Sequence, residues 1–198
     1  MIQTQLKSRR PGRAPSEKAD AHAAIMDAVY ELLQTRSARD LTMEMIAKRA
    51  KVGKPTLYKW WPSKAALILA MFSERLQSAR EFVEASTAEQ ALRNRVRRLI
   101  KEFNGFSGKL MADLIAEGQS EPSVLLNLYD QHINHSRDAT IAEINQAKTA
   151  REFRSDVDAA LLVDSIFSPI YFRLLLRSAP LTEQYGDELV EQVLRGVR

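Results

Sequence analysis

Residues 42–64 constrain the fold of this chain more than any other segment. Thr42 stands before a run with the composition of a short helix, and a tight turn separates that run from a second short helix. Gly53 can cap the second helix, and Pro55 falls in its first turn, where a missing N–H costs little. Pro62 then interrupts the path before a long apolar helix. The segment therefore predicts two short helices held at a fixed angle in front of a longer one.

The rest of the chain also predicts helices. Gly and Pro together make up 14 of the 198 residues, fewer than the average share of about 12%. No sustained alternation of apolar and polar residues predicts a strand. Apolar residues instead recur at helical spacing, with Pro169 inside one segment as an expected kink. We therefore predict an all-α fold of about nine helices, near residues 17–35, 43–49, 54–60, 63–85, 87–103, 107–118, 122–148, 156–177 and 183–195.

Charge divides the chain. Residues 1–64 hold 13 Lys and Arg against 6 Asp and Glu, whereas the remainder holds 16 against 19. The net charges of +7 and −3 indicate that a polyanion meets the N-terminal third. A solvated basic surface without a partner would give the same charges. We predict a disordered basic arm over 1–16, a basic helical domain over 17–64 that meets the polyanion and a second helical domain over 65–198.

Composition also bears on the compartment. The chain has no cysteine, so disulfides and thiolate metal sites are excluded. We find no run of about 18 apolar residues and no apolar core behind the basic N-terminus, so we expect neither a membrane span nor a secretion signal. A cytoplasmic location is the default expectation.

The two short helices carry the residue types that read duplex DNA. Ile46, Ala47, Val52 and Leu57 are expected to fix the angle between the helices. Lysines can donate to guanine acceptors, and a threonine methyl can touch a thymine methyl. The candidate groove residues are Lys54, Thr56, Lys59 and Trp60, with Thr42, Tyr58 and Lys64 nearer the phosphates and Arg9, Arg10 and Arg13 in the arm. Trp61 is expected in the core. The alternative is a helical hairpin that merely has a charged face.

The same residues resemble the tetracycline-repressor (TetR) family of transcriptional regulators. The similarity runs from Leu41 to Leu67 and includes Thr56-Leu57-Tyr58 and Trp61-Pro62-Ser63-Lys64. It implies an all-helical homodimer that binds a palindromic operator and is released by a small molecule in the C-terminal domain. Two positions depart from the usual family pattern. Lys51 replaces a turn glycine, at about 1 kcal/mol if the backbone is left-handed, and Gly53 replaces a capping serine.

The second domain should hold the ligand cavity. Its candidate residues are the apolar and aromatic positions between the fourth and eighth helices: Phe72, Leu76, Phe103, Phe106, Met111, Ile115, Tyr129, His132 and Phe167. At helical spacing such residues are more often plain core. His132 and His135 share a helix face and could bind a metal with a nearby carboxylate, although a polar pair without metal is the better interpretation.

The segment 156–177 is apolar around much of its circumference, so it needs partners on more than one side. It resembles the penultimate helix of one common C-terminal subtype, which in the family forms a four-helix bundle between subunits. We therefore predict a dimer interface that includes Ile166, Ile170, Arg173, Leu174, Leu189 and Val193. An ordinary core helix within one chain is the alternative.

These observations predict a homodimeric TetR-type repressor without a cofactor or a bound metal. An activator, or a DNA-binding protein that senses nothing, could share the same N-terminal domain. A helical-bundle enzyme is disfavoured because no nucleophile–base pair and no phosphate-binding glycine loop occur in the sequence.

Overall fold

The computed structural model describes residues 15–75 and 85–197, and these residues contain helices but no strand. Residues 1–14 of the predicted arm, with Arg9, Arg10 and Arg13, and Leu76 lie outside the described residues, whereas the last two residues of the arm already belong to α1. The helices are α1 (Pro15–Thr35), α2 (Met43–Arg49), α3 (Lys54–Trp60), α4 (Lys64–Arg75), α5 (Ala88–Phe103), α6 (Phe106–Gly118), α7 (Pro122–Leu128), α8 (His135–Thr149), α9 (Ala159–Leu176) and α10 (Glu183–Leu194). A π-helical turn over Tyr129–Asn134 joins α7 to α8. If α7, the π-helical turn and α8 are counted as one continuous helix, the described residues contain nine helices. This confirms the predicted all-α fold.

Helices α1 to α3 form a small bundle. The apolar stripe of α1 is buried, with Ile25, Val29 and Leu33 fully inside. Ile46 from α2 and Leu57 from α3 are also fully buried, and a pair of this kind can hold the two short helices at a fixed angle. Trp61 lies in the core as predicted, at 8% exposure. The helix α1 begins at Pro15, two residues before its predicted start.

The turn between α2 and α3 has the geometry of a Schellman motif. The N–H of Lys51 donates to the carbonyl of Lys48 at 3.3 Å, and the N–H of Val52 donates to Ala47 at 3.0 Å. Lys51 has a φ of 55°. The backbone has therefore kept the left-handed conformation that favours glycine, and the lysine carries a conformational cost of about 1 kcal/mol.

Helices α5 to α10 form the rest of the fold. Within it, α6 contacts α4, α5, α7 and α9. Helix α10 packs closely on α5 at Gly186. A Cβ at this position would lie only 2.8 Å from Val96 Cγ1 and 2.7 Å from Ile100 Cδ1. Helix α6 turns back sharply after α5, and a Cβ on Gly108 would lie 2.1 Å from the carbonyl oxygen of Phe103. One continuous cluster of buried residues extends from α1 through α4 to α10.

Helix α9 is apolar on two sides. One side packs against α5, α6, α8 and α10. The 18 residues have a mean hydropathy of 1.6, and only 28% of them are buried. By length and composition this helix could cross a membrane, contrary to the expectation from the sequence. One side of this helix is nevertheless committed to the core of the chain, where Ile166 and Ile170 are fully buried.

Candidate nucleic-acid interface and cavity

Helix α3 presents a cationic edge to solvent. Leu57 anchors the helix in the core, and the side chains of Lys54 and Lys59 are exposed on it. Tyr58 is 55% exposed, and Thr56 is half-buried. None of the three predicted reading residues Lys54, Thr56 and Lys59 is buried inside the protein. The edge is thus accessible to a duplex.

A carboxylate lies on the same edge. Lys54 Nζ is 2.9 Å from Glu44 Oε2 of α2, and both side chains are at least half exposed. The hydrogen bond from Lys54 and its positive charge hold the pKa of Glu44 below its ordinary value. Glu44 therefore remains ionised at neutral pH, and it competes with any phosphate or base for the same ammonium group.

Two other predicted DNA contacts also serve the local structure. The hydroxyl of Thr42 accepts the N–H of Met45 at 3.2 Å and caps α2 as expected. The ring of Trp60 is half-buried, with centroid distances of 5.8 Å to His22 and 5.4 Å to Trp61. Trp60 therefore supports α3 from behind, and only part of its ring remains available to a ligand.

Lys64 begins α4 as predicted, but its ammonium group has partners within the chain. Its ammonium group is 3.3 Å from Glu117 Oε1 and donates to the carbonyl of Arg39 at 3.4 Å. Only 22% of the side chain is exposed. A phosphate would have to displace these two partners before it could bind Lys64. The sequence could not reveal the competing Glu117, which is 53 residues away.

Helix α6 joins the α1–α3 bundle to the rest of the chain through one face. Lys109 donates to the carbonyls of Leu33 and Arg36 at the end of α1, at 3.0 and 2.7 Å. Asp113 accepts the N–H of Ala38 at 3.0 Å. One turn further, Glu117 holds Lys64. Phe106 belongs to the same face, since its ring packs edge-on against Tyr30 with a centroid distance of 5.5 Å.

Another face of α6 lines a cavity of about 780 Å³. Seven of the nine predicted ligand residues surround this cavity: Phe72, Phe103, Met111, Ile115, Tyr129, His132 and Phe167. Phe106 does not line this cavity, and its ring contacts Tyr30 instead. Ser107, Met111 and Ile115 are spaced four residues apart and form the wall contributed by α6. Helix α6 therefore contacts the cavity and the α1–α3 bundle at the same time.

His132 connects the cavity to α4. Its Nε2 lies 2.8 Å from the hydroxyl of Ser73, and its ring packs edge-on against Phe72 at a centroid distance of 4.6 Å. Burial holds the pKa of His132 below its ordinary value, which favours the neutral ring. His135 is exposed and does not line this cavity, so the two histidines do not converge on it.

Charged groups in the cavity wall were missed by the sequence analysis. They are Arg95, Arg98, Glu102, Arg137 and Asp164. A charged residue on an amphipathic helix is usually solvated, so its type alone gives no sign that it borders a cavity. Tyr171 was missed as well; burial and the charge of Glu102 raise its pKa to about 12.

The predicted dimer residues divide into two groups. Ile166 and Ile170 are fully buried within the chain, so their side chains are not exposed for direct contact with a second subunit. Arg173 lies over the Tyr185 ring, 3.2 Å from its centroid, and donates to the Pro180 carbonyl at 2.9 Å. Leu174, Leu189 and Val193 are half-buried against the core.

A different face of α9 is exposed. Leu161, Phe172 and Leu176 are 66%, 56% and 64% exposed. Together with Ser165 and Ser168 they follow helical spacing along one side of the helix, which we call the outer α9 face. Periodicity could not separate this side from the core side, because both are apolar.

Comparison with known proteins agrees with this architecture. Residues 25–71 match the family model described as "Bacterial regulatory proteins, tetR family". Residues 65–193 match "Tetracyclin repressor-like, C-terminal domain". The second match alone covers more than half of the chain. The chain therefore belongs to the TetR family of transcriptional regulators.

Individual relatives share the whole length. The Bacillus subtilis regulator YdeS, an uncharacterized helix-turn-helix type transcriptional regulator, is 28% identical over 177 residues, or 89% of each chain. The crystal structure of the TetR family regulator SCO0332 superposes with a TM-score of 0.70 at 28% identity, covering 90% of this chain and 99% of that one. FadR from Bacillus subtilis, crystallised with stearoyl-CoA, has the same fold at 15% identity, a TM-score of 0.70 and coverage of 89% and 100%.

Proposed function

We propose that this TetR-family regulator is a homodimeric, cytoplasmic repressor that binds a palindromic operator and releases it when a small molecule fills the cavity. The domain limits that we propose are 17–64 for DNA binding and 65–198 for sensing and dimerisation. The exposed edge of α3 supports the DNA-binding part of the proposal, because Lys54 and Lys59 are free of the core and stand on a helix short enough to enter a major groove. Arg9, Arg10 and Arg13 would add phosphate or minor-groove contacts.

One observation carries the sensing part: α6 faces the cavity on one side and holds the α1–α3 bundle on the other. A molecule between Met111 and Phe167 would displace the first side. The hydrogen bonds of Lys109 and Asp113 would transmit the displacement to the end of α1. Helix α4 provides a second route, through the bond between Ser73 and His132. The ligand must favour one arrangement of the two α3 helices over the other, since equal affinity would shift nothing.

The outer α9 face supports the dimer. Two-fold symmetry would place this face against its own copy, so that one apolar surface covers the other. Exposed Leu161, Phe172 and Leu176 would then leave water. A palindromic operator follows from such symmetry, because two α3 helices would read two half-sites about one helical turn apart.

Selection from genomic DNA tests this function. Sheared DNA of the source organism is incubated with the purified full chain, and bound fragments are sequenced. We expect an inverted repeat near a promoter, and we expect the double variant Lys54→Ala/Lys59→Ala to enrich no such sequence. Enrichment of the same sites by the variant would refute the assignment of α3 as the reading helix. Transcription from the selected promoter, with and without the protein, separates a repressor from an activator, the second candidate.

A further inference from the structure

We propose that the α6 cavity binds an uncharged, mostly aromatic or aliphatic molecule and excludes organic anions. This inference rests on the proposed sensing function and specifies the ligand chemistry of the same site. Its basis is the balance of apolar and charged groups that the described residues bring to the wall.

The wall is rich in rings. Five aromatic side chains line a volume of about 780 Å³: Phe72, Phe103, Tyr129, Phe167 and Tyr171. Phe103 and Tyr171 pack edge-on, with centroids 5.1 Å apart. Leu99, Met111 and Ile115 fill much of the wall between them. Such a surface gains most from a ligand that brings apolar area of its own.

The arginines of the described wall have carboxylate neighbours. Arg137 donates two hydrogen bonds to the carboxylate of Asp164, each 2.8 Å long. The positive charge of Arg137 and these bonds hold the pKa of Asp164 below its ordinary value. Arg95 is paired with Glu143, a residue just outside this wall. Arg98 is not free either, and Glu102 lies four residues further along α5. With Glu143 included, three arginines are balanced by three carboxylates.

This balance decides between ligand classes. An anion would gain little net attraction from arginines that carboxylates inside and just outside the wall already balance. To reach a guanidinium group it would have to separate an existing pair such as Arg137 and Asp164, which leaves a carboxylate beside it without its partner. A neutral molecule needs no such separation. Hydroxyl groups in the wall, among them Ser107 and Tyr171, can orient it by one or two hydrogen bonds.

The mouth of the cavity is also lined by apolar and aromatic side chains. Leu126 is 63% exposed and Tyr129 is 40% exposed, and both belong to the wall. They stand where α7 passes into the π-helical turn. An apolar molecule would meet apolar surface before it enters. His132 lies three residues after Tyr129 and contacts Ser73 of α4. A molecule bound near the mouth would therefore be close to the contact that connects the cavity to α4.

Two fluorescent dyes test the proposal. N-phenyl-1-naphthylamine and 8-anilinonaphthalene-1-sulfonate share one ring system and differ by a sulfonate, so the comparison isolates the charge. Each dye is titrated into the purified full chain at neutral pH. We expect saturable binding of the neutral dye with an affinity about tenfold or more above that of the anionic dye. Equal or tighter binding of the sulfonate would overturn the proposal, as would the absence of saturable binding of the neutral dye.

A matched pair of variants locates the bound dye. Leu126→Lys places a cation at the mouth, whereas Asn127→Lys places the same cation on the neighbouring exposed residue outside the wall. We expect the first variant to weaken the neutral dye and to strengthen the sulfonate, and the second to change neither affinity. Equal effects of the two variants would place the dye elsewhere and refute the site. Loss of DNA affinity when the neutral dye binds would support release by an effector, whereas the selectivity between the two dyes tests the ligand class alone.

Discussion

Asp113 accepts a hydrogen bond of 3.0 Å from the backbone N–H of Ala38, across the junction between α6 and the α1–α3 bundle. Ala38 is only 1% exposed, so its N–H has little access to water. The bond ties the loop after α1 to a helix whose next turns line the cavity. Lys109 and Glu117 add further polar contacts along the same face.

Replacement of Asp113 measures the strength of this junction. Asp113→Ala should lower the free energy of unfolding by about 1–3 kcal/mol, because the N–H of Ala38 loses its acceptor while it remains buried. Asp113→Asn is the matched control, since its amide oxygen can still accept the bond. Urea unfolding followed by circular dichroism gives both values. Equal losses for the two variants would mean that charge, and not the hydrogen bond, carries the stabilisation.

A substitution of Lys51, whose backbone is left-handed, should stabilise the protein. Lys51→Gly should raise the stability by about 1 kcal/mol, because glycine adopts a φ of 55° without the steric cost of a Cβ. Lys48→Gly, three residues earlier within α2, should instead lower the stability by about 1 kcal/mol. The two shifts in the urea midpoint therefore have opposite signs. A destabilised Lys51→Gly protein would contradict the strained turn.

The proposed role of the outer α9 face as a dimer interface can be tested by placing a charge on it. Phe172→Asp should convert a dimer to a monomer, because the new charge would be buried between two copies. The helices of the monomer should persist, since Phe172 is 56% exposed in one chain. Light scattering after size exclusion gives the molar mass, and Tyr58→Asp, similarly exposed on α3, is the control. A dimer in the Phe172 variant would exclude this face as the interface.

Glu44 should weaken DNA binding in the wild-type protein. Its carboxylate holds Lys54 at 2.9 Å and repels phosphates. We expect Glu44→Gln to strengthen binding to duplexes by about two- to threefold at low salt, an effect that fades as salt screens the charges. Fluorescence anisotropy with a labelled duplex measures it. Weaker binding by the Gln variant would show that Glu44 itself contacts DNA, for example at a cytosine amino group.

Sequence periodicity predicted the helices well and their contacts less well. Helix bounds depend on local signals such as the cap at Thr42, Gly53 before α3 and Pro55 in the first turn of α3, and these signals are strong. The orientation of α9 depends on which of two apolar sides meets the core, and periodicity does not rank them. Ile166 was therefore placed in the interface although it is fully buried.

Long-range partners explain the other differences. Lys64 has the position of a phosphate ligand in the sequence, but Glu117 holds its ammonium group. The charged cavity wall escaped detection for the same reason, since Arg137 and Asp164 are recognisable as a pair only once α8 and α9 are packed together. Most of the aromatic residues proposed for the cavity do line it, because large apolar rings are usually turned away from water; Phe172, 56% exposed on α9, is an exception.

The central claim is that the cationic edge of α3 binds inside duplex DNA, and a salt titration of duplex affinity tests it most directly. The account predicts that Lys54→Ala/Lys59→Ala reduces affinity at least about tenfold and flattens the dependence of log affinity on log salt. Lys101→Ala/Arg195→Ala removes the same two charges from exposed positions on α5 and just after α10, and it should bind as the wild type does. Wild-type affinity and slope in the α3 variant would contradict the claim.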